Sequence, residues 1–318
     1  MRRVLVLIAN GLGFIAAAAI VIVAGQHFAR AKGALAPPPL YMSAHHAQLS
    51  YLGVYEPTSP QSYSGVEEFS RLIGRRPNIA VYYSAWWEPF QSAFARAAEA
   101  QSAIPMVQIE PRGVSLADIT SGDYDSYLRA YASAVRSFGR PVILSFGHEM
   151  NADWYSWGYR HTSAAVFVAA WRHIHELFAA MGASNVTWLW TVNVVNGRNV
   201  SAIRAWWPGA HMVNWVGVDG HYFQSVIRFS GLFDATLAQI RRLTRDPVLI
   251  AETGIAPFVA TERITDLFAG AQAHRLLGVV WFDVTGHNIR IEGDPSAIAL
   301  FRRAVRAYFK PPAAGIAR

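Results

Sequence analysis

The strongest constraint on this chain is an alternation, repeated eight times, between short apolar runs and longer amphipathic segments. The apolar runs cover 51–55, 79–85, 106–110, 141–146, 186–192, 215–219, 248–252 and 278–283. They are continuous and rich in valine, isoleucine and aromatics, as strands buried on both faces of a parallel sheet must be. Between them, alanine, leucine and arginine recur at helical spacing over 66–73, 90–100, 124–137, 164–181, 232–243, 261–274 and 297–309. Only the fifth connection, 196–211, is weakly helical. Crossovers of this length demand parallel strands joined with right-handed connections. Eight such units filling 49–310 match the size of an α/β fold of the (β/α)8 TIM-barrel type. An open doubly wound sheet is the main rival. It carries a glycine-rich phosphate turn after its first strand, and Gly53-Val54-Tyr55-Glu56-Pro57 is not one.

The segment before the barrel sets an expectation about location. Met1-Arg2-Arg3 precedes an uncharged stretch over 4–24, and about 20 apolar residues suffice for a helix to cross a bilayer. Ala34-Leu35-Ala36 offers a small-x-small cleavage pattern, but Pro37 directly follows it. The reading is therefore an N-terminal signal-anchor or signal peptide over 1–26, then a Pro/Ala-rich spacer over 27–48. The barrel occupies 49–310, with a tail over 311–318. This implies an exported protein, either secreted or anchored to the membrane or cell envelope through the N-terminal helix.

Charge and cysteine content narrow the function classes. The chain has no cysteine, which excludes a disulfide scaffold, a thiolate zinc site, an iron–sulfur cluster and a cysteine nucleophile. The net charge is +7, yet lysine occurs only at Lys32 and Lys310 and the arginines are scattered. With no basic run or stripe, nucleic acid is not an expected partner. A metal-dependent barrel would want a His-x-His pair at the end of strand one. That strand ends in Val54-Tyr55-Glu56, while His45-His46 precede the barrel, so no metal and no cofactor are expected. The expected state is a monomer.

In a barrel the chemistry gathers where strands end and βα loops begin. Strand four runs into Phe146-Gly147-His148-Glu149-Met150-Asn151, and strand seven into Ala251-Glu252-Thr253-Gly254. Strands four and seven face each other across a barrel, so Glu149 and Glu252 should converge over one substrate bond. Two carboxylates flanking an acetal are what glycoside hydrolysis requires, one holding a proton and the other ionised. Sugar rings stack on indole and phenol faces. The aromatics at or after strand ends, Tyr55, Trp86, Trp87, Trp154, Tyr155, Trp157, Trp281 and Phe282, therefore read as stacking platforms. Asn151 reads as a contact to substrate hydroxyls.

The stretch from Pro141 to Asn151, with Trp154 and Trp157-Gly158 behind it, closely resembles the strand-four signature of glycoside hydrolase family 26. That family of clan A retaining glycosidases holds β-mannanases, some xylanases and mixed-linkage glucanases. Trp188-Leu189-Trp190-Thr191-Val192-Asn193 is similar to its fifth strand, with the terminal asparagine. Trp215 to Gly220, Val248 to Gly254 and Val280-Trp281-Phe282-Asp283 resemble its sixth, seventh and eighth strands. The resemblance implies that Glu149 is the general acid/base and Glu252 the nucleophile of a retaining double displacement. It places His148 beside the acid/base, Trp154 in the subsite next to the cleaved bond, and Asn193 at the site. The family's sixth strand ends Asp-Gly-Tyr, with the tyrosine bonding the nucleophile, whereas this chain reads Asp219-Gly220-His221-Tyr222. Either His221 or Tyr222 takes that role.

The expected function is a retaining endo-β-glycosidase acting on a polysaccharide or oligosaccharide, foremost β-1,4-mannan. The alternatives are a β-1,3/1,4-glucanase or xylanase of the same family, or a non-catalytic glycan-binding barrel.

Overall fold

The computed structural model describes residues 48–195, 197, 199–224, 226–256, 259, 262–284 and 291–311. The apolar run over 4–24 lies outside them, as do the spacer to residue 47 and the tail from 312. Among the described residues, no helix is long and apolar enough to cross a membrane.

Eight parallel strands close into a barrel in sequence order. They are β1 (Tyr51–Tyr55), β2 (Ile79–Ala85), β3 (Ile104–Glu110), β4 (Val142–Phe146), β5 (Val186–Asn193), β6 (Trp215–Asp219), β7 (Val248–Thr253) and β8 (Gly278–Phe282). The helices outside are α1 (Ser64–Ile73), α2 (Ser92–Ala100), α3 (Leu116–Ser121), α4 (Asp125–Phe138), α5 (Ala164–Ala180), α6 (Phe229–Leu243), α7 (Arg263–Ala273) and α8 (Pro295–Tyr308). Two short 3-10 turns, Ile203–Trp206 and Ala210–Met212, stand in the weakly helical fifth connection.

Each expected strand is present, and the departures have local causes. α3 was not foreseen, because six residues give too few turns for a period to register. Ser115 caps it by accepting the Asp118 N–H. α6 begins at Phe229, three residues before the periodic apolar face, because the Asp266 carboxylate accepts the Phe229 N–H at 2.6 Å. α8 begins at Pro295, where Asp294 accepts the N–H groups of Ser296 and Ala297.

Two apolar cores follow from the two faces of the strands. Tyr51, Ile79, Val81, Met106, Ile143, Leu189, Trp215, Leu249 and Val280 form one cluster filling the barrel. Tyr51 and Trp215 meet there with ring centroids 4.9 Å apart. A larger cluster lies between strands and helices and includes Trp171, Trp188, Trp190 and Trp281. The β1–β8 seam depends on Gly278, where a Cβ would sit 1.8 Å from the Tyr51 carbonyl oxygen. The ends of the barrel are pinned beside that seam: Leu49 donates to Tyr308 O at 2.9 Å, and Lys310 donates to Leu49 O at 2.8 Å. The apolar layers thus stop below the C-terminal strand ends, leaving that rim to polar side chains.

Candidate active site

A cleft of about 860 Å³ opens at the C-terminal end of the barrel. Its lining includes Tyr55, Tyr83, Glu110, Arg112, Glu149, Trp154, Tyr155, Asn193, His221, Phe223, Glu252 and Phe282. The strand-end rule therefore brings together both glutamates and several of the expected aromatics.

Glu149 is presented by a tight turn at the end of β4. Gly147 has φ +55°, and a Cβ there would lie 2.9 Å from the Phe167 ring. Glu149 itself has φ +54°, a left-handed backbone that costs a non-glycine residue roughly 1–2 kcal/mol. The turn is held because the Glu149 N–H donates to Thr191 O at 2.9 Å and its carbonyl accepts the Ala152 N–H at 2.9 Å. Strain maintained by surrounding bonds is what an aimed side chain requires. The carboxyl is buried, with Asn193 Nδ2 donating to Oε1 at 2.6 Å and Trp154 Nε1 donating to Oε2 at 2.7 Å.

Glu252 projects from β7, in register with Asp219 on β6. The register slips between Val218 and Asp219, and again along β7 and β8 between Ile250 and Thr253. Irregularities of this kind re-aim side chains at barrel rims. His221 Nε2 donates to Glu252 Oε1 at 2.9 Å, and the Tyr83 hydroxyl donates to Oε2.

These surroundings pull the two carboxyls apart. Burial and the nearby charge of Glu252 raise the Glu149 pKa, against the opposing pull of His148, Asn193 and Trp154. Burial also pushes Glu252 up, but the His221 bond and charge, His148 and the Tyr83 hydroxyl outweigh it, so its pKa lies below the ordinary value. Asp219 is fully buried, and neither carboxyl oxygen has a hydrogen-bond partner among the described residues. Burial, with Glu252 and Glu149 beside it, raises its pKa well above normal. The order of proton affinities thus puts the negative charge on Glu252. Divergent pKa values in a close carboxyl pair separate an acid from a nucleophile.

Several expected contacts are corrected. Asn151 is fully buried: its Oδ1 accepts the Asn193 N–H at 2.8 Å and its Nδ2 donates to Asn193 O at 2.8 Å. It holds Asn193 against Glu149 instead of meeting substrate. His148 is 1% exposed and lies behind the cleft wall, with Nε2 3.1 Å from the Tyr155 hydroxyl. Trp157 is buried as well. It donates to His148 O at 2.9 Å and stacks under Tyr155 at 4.3 Å, so Tyr155 presents the cleft face. Trp281 has no exposure. Strand alternation turns it outward onto Phe301 of α8, whereas Phe282, expected at the same rim, does point into the cleft. Trp87 is 59% exposed but lies off the cleft lining, edge-on to Tyr124 and Tyr127.

The choice between His221 and Tyr222 is settled by backbone pairing. Tyr222 donates to Gly254 O at 2.9 Å and accepts from the Ala256 N–H at 3.0 Å. This fixes its ring outward, fully buried beside Phe233, and leaves His221 facing the cleft. Tyr55 lines the cleft as expected, stacked on Phe282 at 5.0 Å.

Tyr83 was missed. It lies two residues inside the end of β2 and faces inward by alternation, below the strand ends to which barrel chemistry points. Glu110 and Arg112 were also missed. They form a bidentate pair, with both guanidinium bonds at 2.8 Å, and the Arg112 guanidinium lies over Tyr155 and Trp157. For metals, one acidic group among the described residues has suitable spacing: oxygens of Glu56, Asp283 and Glu292 lie within 4.8 Å of one another. It stands off the cleft lining, and Asp283 already accepts from Trp281 Nε1 and the Ile291 N–H.

Similarity to known proteins points the same way. Endoglucanase H of Acetivibrio thermocellus is 27% identical over 274 residues, covering 80% of this chain and 30% of that protein. The mannan endo-1,4-β-mannosidase A and B of Caldalkalibacillus mannanilyticus is 27% identical over 91 residues, covering 26% and 17% of the two chains. The chain thus spans less than a third of the length of these relatives. In fold, it is similar to an endo-β-1,4-mannanase double mutant from Cellulomonas fimi, with a TM-score of 0.66, 16% identity, and coverage of 84% of this chain and 73% of that one. The family profile described as Glycosyl hydrolase family 26 matches residues 120–263, from α3 through the β4 and β7 ends that carry both glutamates.

Proposed function

We propose that this protein is a retaining endo-β-glycanase that cleaves a β-linked polysaccharide by double displacement, foremost β-1,4-mannan. The observation that carries the proposal is the opposite displacement of the Glu149 and Glu252 pKa values within one cleft. Glu252, held ionised by His221 and Tyr83, attacks the anomeric carbon and forms a glycosyl–enzyme ester. Glu149 gives its proton to the departing glycosidic oxygen, then takes one from the water that hydrolyses the ester. Tyr83 keeps its own proton throughout, because burial and the Glu252 charge raise its pKa well above normal. Tyr55, Trp154 and Phe282 supply faces for sugar C–H groups.

β-Glucan is the second reading, favoured by the similarity to Endoglucanase H over 80% of this chain. A glycan-binding barrel without catalysis is disfavoured because it has no use for a matched pair of carboxyls. The test is a reducing-end assay of the purified full-length chain on mannan, glucomannan, lichenan and xylan. New reducing ends on mannan support the first reading, and on lichenan alone the second. No release from any of the four overturns the hydrolase proposal.

The apolar run over 4–24 supports action outside the cytoplasmic membrane. A phosphatase fused after the barrel is then active only if the barrel is exported. We also propose a monomer, to be checked by light scattering of the purified chain.

A further inference from the structure

Four large apolar side chains are exposed among the described residues, and two of them, Trp154 and Phe223, border the cleft. Each is tied to one of the carboxylates. Trp154, 49% exposed, donates directly to Glu149. Phe223, 47% exposed, follows Tyr222 on the loop between β6 and α6 and stacks on the His221 imidazole, with centroids 5.5 Å apart and planes at 27°. His221 Nε2 lies 2.9 Å from Glu252 Oε1. A second ring, Phe282, meets the imidazole edge-on at 5.8 Å and is itself stacked on Tyr55. The imidazole that aligns Glu252 therefore has one neighbour fixed at the end of β8 and one that stands half in solvent.

An aromatic face left open beside a glycan cleft forgoes burial and gains it back only when something flat and apolar covers it. The C–H face of a sugar is such a surface. We propose that Phe223 is a further sugar-stacking platform of this cleft. The same ring, covered by a seated sugar, is a positioning residue that holds His221 in line with Glu252. Substrate binding on the β6–α6 wall is thereby coupled to the alignment of the carboxylate. The proposal rests on the glycan-cleft reading above and adds a residue and a coupling that it does not contain.

Three substitutions separate the two roles. Phe223→Ala removes both the flat face and the support of His221. It should raise KM about tenfold on a hexasaccharide and lower kcat several-fold. Phe223→Leu still fills the space beside His221 but has no flat face, so KM should rise about as much while kcat stays near wild type. Phe223→Trp should keep both constants. An unchanged KM in the alanine and leucine variants overturns the platform, and an unchanged kcat in the alanine variant overturns the coupling. The side chain is half exposed, so the variants should fold, and thermal melts check this. Calorimetric titration of Glu252→Gln, with and without Phe223→Ala, keeps the platform testable without turnover. About tenfold weaker hexasaccharide binding supports it, and equal binding overturns it, whether or not the wild type hydrolyses the sugar. Absence of wild-type turnover refutes only the hydrolase reading.

Discussion

Replacing His221 by alanine isolates the interaction that keeps the Glu252 carboxylate charged in a buried position. Burial alone pushes its pKa up, and the His221 hydrogen bond is the foremost influence in the opposite direction, followed by the charge of the same ring. A hydrogen bond to a charged group is worth about 1.5–3 kcal/mol. Losing it removes the main support of the charged form, so the Glu252 pKa rises. Water entering the vacated space sets the lower end of that energy range. The sign follows from the reaction. Glu252 must be ionised to attack, and its pKa now lies below the ordinary value, so wild-type activity persists into mildly acidic solution. In the variant the acid limb of kcat/KM moves to higher pH, and turnover in mildly acidic solution falls far more than at neutrality. The assay is kcat/KM against pH on an activated aryl β-glycoside, which reports groups of the free enzyme. Tyr83→Phe removes the other donor and should move the same limb the same way. An acid limb that stays in place in His221→Ala would refute the argument that this imidazole sets the ionisation of Glu252.

Asn193→Ala probes the other carboxyl. Asn193 lowers the Glu149 pKa, so its loss should carry the alkaline limb of kcat/KM on an unactivated oligosaccharide, whose leaving group needs the acid, to higher pH; a fixed alkaline limb would exclude Glu149 as the group seen there. Glu252→Ala should abolish turnover, with azide restoring it to give a product of inverted configuration; retained native activity would place the nucleophile elsewhere. Glu149→Ala should still form the glycosyl–enzyme from activated aryl glycosides but stall at its hydrolysis, seen as a burst, and unimpaired second-step kinetics would reassign the acid/base. Trp154→Ala and Trp281→Ala should separate cleanly. The first should raise KM with little change in stability. The second should cost about 3–5 kcal/mol in urea unfolding while leaving KM of the folded fraction unchanged.

The barrel was legible because its signal is repeated: eight short apolar runs with amphipathic crossovers leave little choice of topology. The glutamates were legible because strand ends are where a barrel exposes side chains. Side-chain direction at those ends was not legible. Trp281 and Phe282 are adjacent, and which one enters the cleft is a matter of strand parity, set by where β8 pairs with β1 and β7. His221 and Tyr222 pose the same question, and the answer lies in the slip between Val218 and Asp219 together with the Tyr222 backbone bonds to Gly254 and Ala256. Neither feature leaves a mark in residue type.

Tyr83 exposes a different blind spot. Its hydroxyl reaches the Glu252 carboxylate from β2, one residue type among many aromatics in strands, and nothing in 79–85 distinguishes it from the buried Tyr82 beside it. Alternation does, once the strand is known to be closed in a barrel. Tyr83 is in register with Gln108, and Gln108 with Ser145, which bonds Thr191 at 3.1 Å. These inward polar positions form a layer above the apolar fill and below the catalytic rim. Tyr83 belongs to that layer and not to the strand ends. Asn151 lies beyond the end of β4 and bonds the backbone of Asn193, so it was credited to the substrate when it belongs to the scaffold. In this barrel the residues that tune the carboxyls enter from the layer beneath and the strands alongside, while the aromatic faces of the cleft come from the strand ends at Tyr55 and Phe282 and from the loops at Trp154 and Phe223.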